Sequence, residues 1–150
     1  MKLPTGRFRR SDRLLKSRDF RRVSGCGVRA ASRNFVLLAS AVPPNDAKNP
    51  QMSNRLGVTV SRRVGNAVAR NRIKRRIREW FRHLEASRAS SDCSRGAPGG
   101  TTRVGNYELV VIARRDAAEI GYAEVTRDLT SLFERARSSP PPTQVERNRR

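Results

Sequence analysis

Over residues 62–82, apolar side chains return every three or four positions, and almost everything between them is basic. At about 100° per residue, Ala69, Ile73, Ile77, Trp80 and Leu84 fall within roughly 40° of one direction, and Asn71, Lys74, Arg75, Arg78 and Arg82 gather opposite. The segment reads as an amphipathic helix entered through a Gly65-Asn66 turn, with one face for a core and a cationic face for solvent. Residues 55–61 alternate instead. Leu56, Val58 and Val60 share one side of a strand, and Gly57 and Thr59 share the other. A strand face without bulk can floor a cleft.

The remaining pattern supplies the other elements. The apolar run 34–41 and the segment centred on Leu109-Val110-Val111-Ile112 predict buried strands. Ser17-Arg18-Asp19-Phe20 opens a short helix with Ser17 as its cap, Phe20 and Val23 turned inward, and Gly25 and Gly27 ending it. Tyr122, Val125, Leu129, Leu132 and Phe133 have the spacing of a last helix, and Pro43-Pro44-Asn45-Asp46 begins a loop that runs to Asn54. The expected organisation is a basic, flexible N-terminus (1–12), one domain (13–135) with a Ser/Gly-rich flexible loop inserted at 86–105, and a disordered Pro/Arg-rich tail (136–150). The order of elements predicts an α/β (α+β) two-layer sandwich, a small mixed sheet packed with about three helices.

Charge then narrows the partner. The 150 residues carry 33 Lys and Arg against 13 Asp and Glu, a net charge of +20 that favours polyanions. A merely solvated helix face interleaves Glu with Lys, yet Glu79 is the single acid between Arg55 and Leu84. Like charges at that spacing repel, and guanidinium groups suit bidentate phosphate contacts. No run approaches a membrane span, and the N-terminus has no continuous apolar segment, which predicts a cytoplasmic location.

Catalytic chemistry is hard to find. A protein nuclease needs clustered carboxylates for metal ions or a His-based acid/base pair. Asp12, Asp19, Asp46, Glu79, Glu85, Asp92 and several acids in the last helix are scattered, and His83 is the sole histidine, placed for helix-end packing or a charge contact at the helix C-terminus. Cys26 and Cys93 stand apart without zinc-ligand spacing and read as two thiols. Residues 65–70 look superficially like a phosphate loop, but Arg70-Asn71 stands where Lys-Ser/Thr is required. Phe20 and Phe35 are either core residues or platforms for unpaired bases. These residues describe a binder of RNA or DNA that breaks few bonds itself. A structural ribosomal protein would co-sediment with ribosomal subunits, and a self-sufficient endonuclease would cleave without added RNA.

Arg62-Arg63-Val64-Gly65-Asn66-Ala67-Val68, followed by Arg70-Asn71-Arg72-Ile73-Lys74-Arg75, resembles the RNR motif of the bacterial ribonuclease P protein family. The likeness extends from about Arg13 to Phe133. Arg13-Leu14-Leu15-Lys16 with Asp19-Phe20 looks like that family's first helix, and Asn34-Phe35-Val36-Leu37, Leu56-Gly57-Val58-Thr59-Val60-Ser61 and Leu109-Val110-Val111-Ile112-Ala113-Arg114 look like its strands. The resemblance implies a left-handed crossover through the RNR helix, against the usual hand. It also implies a subunit of a ribonucleoprotein whose RNA, with bound Mg²⁺, removes the 5′ leader from precursor tRNA.

On matching positions, the RNA-binding set would be Arg62, Arg63, Asn66, Arg70, Asn71, Arg72, Lys74, Arg75 and Arg78. The leader cleft would be lined by Phe20, Val36, Leu38 and Thr59. No catalytic side chain and no direct metal ligand is implied; Mg²⁺ belongs mainly to the RNA. The implied partners are the catalytic RNA and precursor tRNA, with no obligatory protein partner. Two positions depart from the family. Ser24 stands where a second aromatic is frequent and Leu38 where Tyr is frequent, so the leader would be held less by stacking and more by charge.

Overall fold

The computed structural model describes residues 8–42, 54–92 and 107–139. The expected loop at 43–53, the rest of the inserted loop beyond 92, Cys93 and the tail from 140 lie outside the described residues. Strands β1 (Val28–Ala31), β2 (Phe35–Ala41), β3 (Arg55–Val60) and β4 (Tyr107–Ala113) form one sheet in the order β1-β2-β4-β3. β2 runs antiparallel to β1 and β4, while β3 and β4 are parallel neighbours. Parallel neighbours cannot be joined by a tight turn. The long helix α2 (Ala67–Asp92) fills that connection, between the short α1 (Ser17–Cys26) and the last helix α3 (Tyr122–Ser138).

Strand alternation divides the apolar residues between two cores. Phe35, Leu37, Leu56, Leu109 and Val111 face Ile73, Ile77, Trp80 and Phe81 of α2 and Val125, Leu129, Leu132 and Phe133 of α3. Fully burying an aliphatic side chain such as Ile73 or Ile77 contributes about 1.5–3 kcal/mol. The Trp80 indole N–H donates to Thr130 Oγ1 at 3.1 Å, which satisfies its one polar atom and ties the two helices. On the other side of the sheet, Leu38 and Val110 meet Leu14 and Val23, with Phe20 and Ile112 at the margin. The main layers are thus the sheet and the α2–α3 pair, and α1 lies across part of the opposite face.

Several boundaries differ from the sequence reading. β1 was not expected: its Val-Arg-Ala-Ala sequence has weak strand character, and it exists by pairing with β2 from Val28↔Ala39 to Ala31↔Val36. Ser17 lies inside α1, whose cap position is Lys16, so Ser17 is not the cap. Residues 62–64 form a single 3-10 turn, not helix, and Gly65 takes φ 152°, open only to glycine. Asn66 Oδ1 then accepts the Ala69 N–H at 2.9 Å and caps α2.

α2 also continues through 86–92, where a flexible loop was expected, because Ala86, Arg88 and Ala89 are strong helix formers. Residues 136–138 belong to α3, not to the tail, and Ala136 is buried one turn beyond Leu132.

The N-terminus is the largest correction. Residues 13–16 precede α1 instead of belonging to it, and residues 8–12 are anchored. Phe8 packs edge-on against Phe81 at 5.7 Å, Arg13 bridges Leu56 in parallel, and Leu14 N–H donates to the Leu56 carbonyl at 3.0 Å. The outer edge of β3 therefore receives a strand-like cover, a common remedy for exposed sheet edges. Composition marked the segment as basic, but Phe8 and Leu14 are its anchors.

Candidate nucleic-acid interface

Asn71, Arg72, Lys74, Arg75 and Arg78 line an open cleft of about 440 Å³ along α2. Helical spacing brings them together: Asn71, Arg75 and Arg78 point away from Ile73 and Ile77, which are fixed in the core, and Arg72 and Lys74 flank them. No acid lies in this lining. Partial burial, and secondly the neighbouring Arg13 guanidinium, push the Arg78 pKa below its ordinary value. Arginine stays protonated in proteins, so both influences describe a crowded positive site.

The remaining predicted contacts divide. Arg70 is half-buried beside this face, and its Nε is shielded without a hydrogen-bond partner among the described residues. Arg62 and Arg63 are exposed on the turn that leaves β3. The Asn66 side-chain oxygen is engaged in the helix cap. Glu79 directly follows Arg78, but its carboxylate is engaged further along the helix, accepting from Arg82 at 2.8 Å with His83 Nε2 3.5 Å from its other oxygen. Arg76 turns inward and donates to the Ile120 carbonyl at 2.5 Å.

The predicted cleft residues share the sheet face beneath α1. Register aligns Arg29, Leu38, Val110 and Gly57 across the sheet, and beside them Ala31, Val36, Ile112 and Thr59. Phe20 leans from α1 over Gly57, where an added Cβ would stand 2.7 Å from two ring carbons. The small strand face thus admits an aromatic ring. Thr59 is exposed and Phe20 half-buried, and both are available to a ligand. Leu38 is 7% exposed and packed among Val23, Leu14 and Val110, so it belongs to the core and not to an open lining. Val36 is buried likewise.

Sequence reasoning missed the charged end of this face. Glu108 is nearly buried, and both of its oxygens accept from Arg22 Nη2 at 2.6 Å. Arg55 donates to Glu108 Oε1 and to Asp19 Oδ2, each at 3.0 Å. Two arginines and two carboxylates therefore lock α1 to β3 and β4. Alternation gives Arg55 and Glu108 a face each; only the β3–β4 register, Arg55↔Glu108, makes them neighbours.

The match to known proteins spans the whole described domain. The Ribonuclease P family model matches residues 8–137. The chain belongs to the ribonuclease P protein family. The ribonuclease P protein component of Shouchella clausii is 37% identical over 134 residues, covering 89% of this chain and 93% of that one. That of Syntrophobacter fumaroxidans is 36% identical over 129 residues, covering 86% and 91%.

Among solved structures, the ribonuclease P protein of Staphylococcus aureus aligns with TM-score 0.61 at 28% identity, over 83% of this chain and 94% of that one. The ribonuclease P protein of Thermotoga maritima aligns with TM-score 0.57 at 27% identity, over 82% and 96%. As a ribonuclease P protein, the chain is a subunit of the endoribonuclease that processes the 5′ end of tRNA, and it works with the ribonuclease P RNA. Among the described residues, no helix is long and apolar enough to cross a membrane.

Proposed function

We propose that the α2 face holds the catalytic RNA and that the groove between α1 and the sheet receives the single-stranded 5′ leader of precursor tRNA. The observation that carries this reading is the acid-free α2 cleft formed by Asn71, Arg72, Lys74, Arg75 and Arg78. Phosphates of a structured RNA replace the missing carboxylates, and counterion release drives the association. Arg62, Arg63 and Arg70 extend the contact toward the β3 end, while Asn66 acts through the helix cap that presents them. In the groove, Phe20 offers an aromatic face to a base and Thr59 a hydroxyl at its open end. Val36 and Leu38 support that floor from beneath.

The donor set of the α2 face is cationic and does not fit a divalent ion. Among the described residues, no group of three His, Cys, Asp or Glu side chains has the arrangement of a metal site. In this reading Mg²⁺ is held by the RNA, which carries out phosphodiester hydrolysis. The protein binds, aligns and screens charge. Its partners are the catalytic RNA and precursor tRNA, with no obligatory protein partner, in the cytoplasm.

The test is cleavage of a precursor tRNA at low Mg²⁺ with a bacterial ribonuclease P RNA, this protein, or both. Cleavage only with both is expected. Cleavage by the protein alone, in a contamination-controlled preparation, would overturn the assignment of chemistry to the RNA.

A further inference from the structure

The segment 8–14 begins on one side of the sheet and finishes on the other. Phe8 is seated on Phe81 of α2, within the core shared by α2 and α3. Leu14 is buried in the second core, beneath α1. Between them Arg13 passes the edge of β3 at Leu56, and its guanidinium lies 5.1 Å from the Phe8 ring centroid. It makes no ion pair among the described residues. The nearest acid in sequence, Asp12, is occupied locally: its carboxylate accepts the Arg9 N–H at 2.7 Å and the Ser11 hydroxyl at 3.2 Å.

We propose that residues 8–14 form a basic strap that carries the cationic face of α2 around the edge of β3, with Arg13 meeting a backbone phosphate of the catalytic RNA beside Arg78. This rests on the reading of α2 as the surface for that RNA. Phe8 and Leu14 anchor the segment that carries Arg13, and the Arg13 charge is felt at Arg78. A guanidinium over an aromatic face is attracted by the ring and keeps N–H donors for an anion. Phosphate is the ligand that fits two adjoining guanidinium groups. The strap also gives the α2 face and the groove beneath α1 a shared border, so RNA on one surface lies next to RNA on the other.

The experiment is a salt titration of binding between the full-length protein and ribonuclease P RNA alone, without precursor. Arg13→Gln is expected to weaken binding about 3–10-fold and to reduce the log–log salt slope by about 0.7–0.9, the share of one phosphate contact. Arg13→Lys keeps the slope. Arg13→Met, which leaves an apolar stem on Phe8, gives the same reading should Gln loosen the strap. Unchanged affinity and slope for these neutral variants, while Arg75→Ala/Arg78→Ala binds weakly, would overturn the strap and leave the α2 reading standing. If the α2 double variant is also silent, the α2 reading itself fails and the strap falls with it.

Discussion

Arg55 and Arg75 sit on elements joined by a single turn, yet their electrical surroundings are opposite. Arg55, with Arg22, meets Glu108 and Asp19, so two cations and two anions balance within hydrogen-bond distance. Arg75 shares its cleft with Arg72, Lys74 and Arg78, and no acid lines it. The first group is partly withdrawn from water and fastens a helix to a sheet. The second is held out by Ile73 and Ile77, and no acid lines its cleft. In a chain this rich in arginine, residue type says little about role. The position of the carboxylates distinguishes a fastener from a binding surface.

Glu108→Ala would break this contrast most severely, because it leaves Arg22 and Arg55 facing each other without their shared acid. Removing one partner of a buried pair costs about 3–5 kcal/mol; with both arginines partly exposed, a loss of about 2–4 kcal/mol is expected in urea unfolding. A loss below about 1 kcal/mol would mean that the network is incidental. The reverse pattern is expected from Arg75→Ala with Arg78→Ala. Stability should stay within about 0.5 kcal/mol, as for ordinary surface changes. Affinity for the catalytic RNA should fall about 10–100-fold at moderate salt, read by fluorescence titration. Unaltered affinity would remove the α2 face from consideration.

Gly57→Ala probes the groove between these regions. Its methyl group would collide with the Phe20 ring, costing about 1–2 kcal/mol as an overpacked site, and should weaken binding of leader-bearing precursor more than binding of mature tRNA. Equal weakening of both would show that Phe20 is core alone. The smallest effect expected is that of Asn66→Ala, which loses the α2 cap for about 1 kcal/mol, seen in thermal unfolding. An RNA-binding loss far larger than the stability loss would make Asn66 a contact and not a cap.

How much of this was legible beforehand depends on the range over which each signal acts. The α2 stripe, the small face of β3 and the apolar runs of β2 and β4 are written in local periodicity, and they appeared where the pattern put them. The RNR segment added the RNA partner. What escaped was non-local or depended on a few anchors. β1 is made by its pairing with β2, since Arg29, Ala30 and Ala31 give it little strand preference of their own. The fastener at Glu108 required the register of two strands far apart in sequence. The seat of Phe8 on Phe81 was masked by the basic residues around it, and the extension of α2 past Glu85 was masked by the Ser and Gly that follow. Leu38 has the right face for the groove but lies under α1, a matter of coverage that alternation cannot report.

Asn54 bears on a different use of this fold. Buried at the entrance to β3, it donates to Glu85 of α2 at 2.5 Å and accepts the Tyr107 N–H of β4 at 2.7 Å. Register sets Ala41 beside Tyr107 and Arg55 beside Glu108, so β2 ends where β3 and β4 begin. Asn54 and Tyr107 thus stand at one rim of the sheet, whereas Arg62 and Arg63 leave it at the other. That rim is a port for engineering. A fluorophore or affinity tag attached beside Asn54 or Tyr107 would join the fold at the rim opposite the β3 exit, giving a handle for pulling out the assembled ribonucleoprotein from the side away from Arg62 and Arg63.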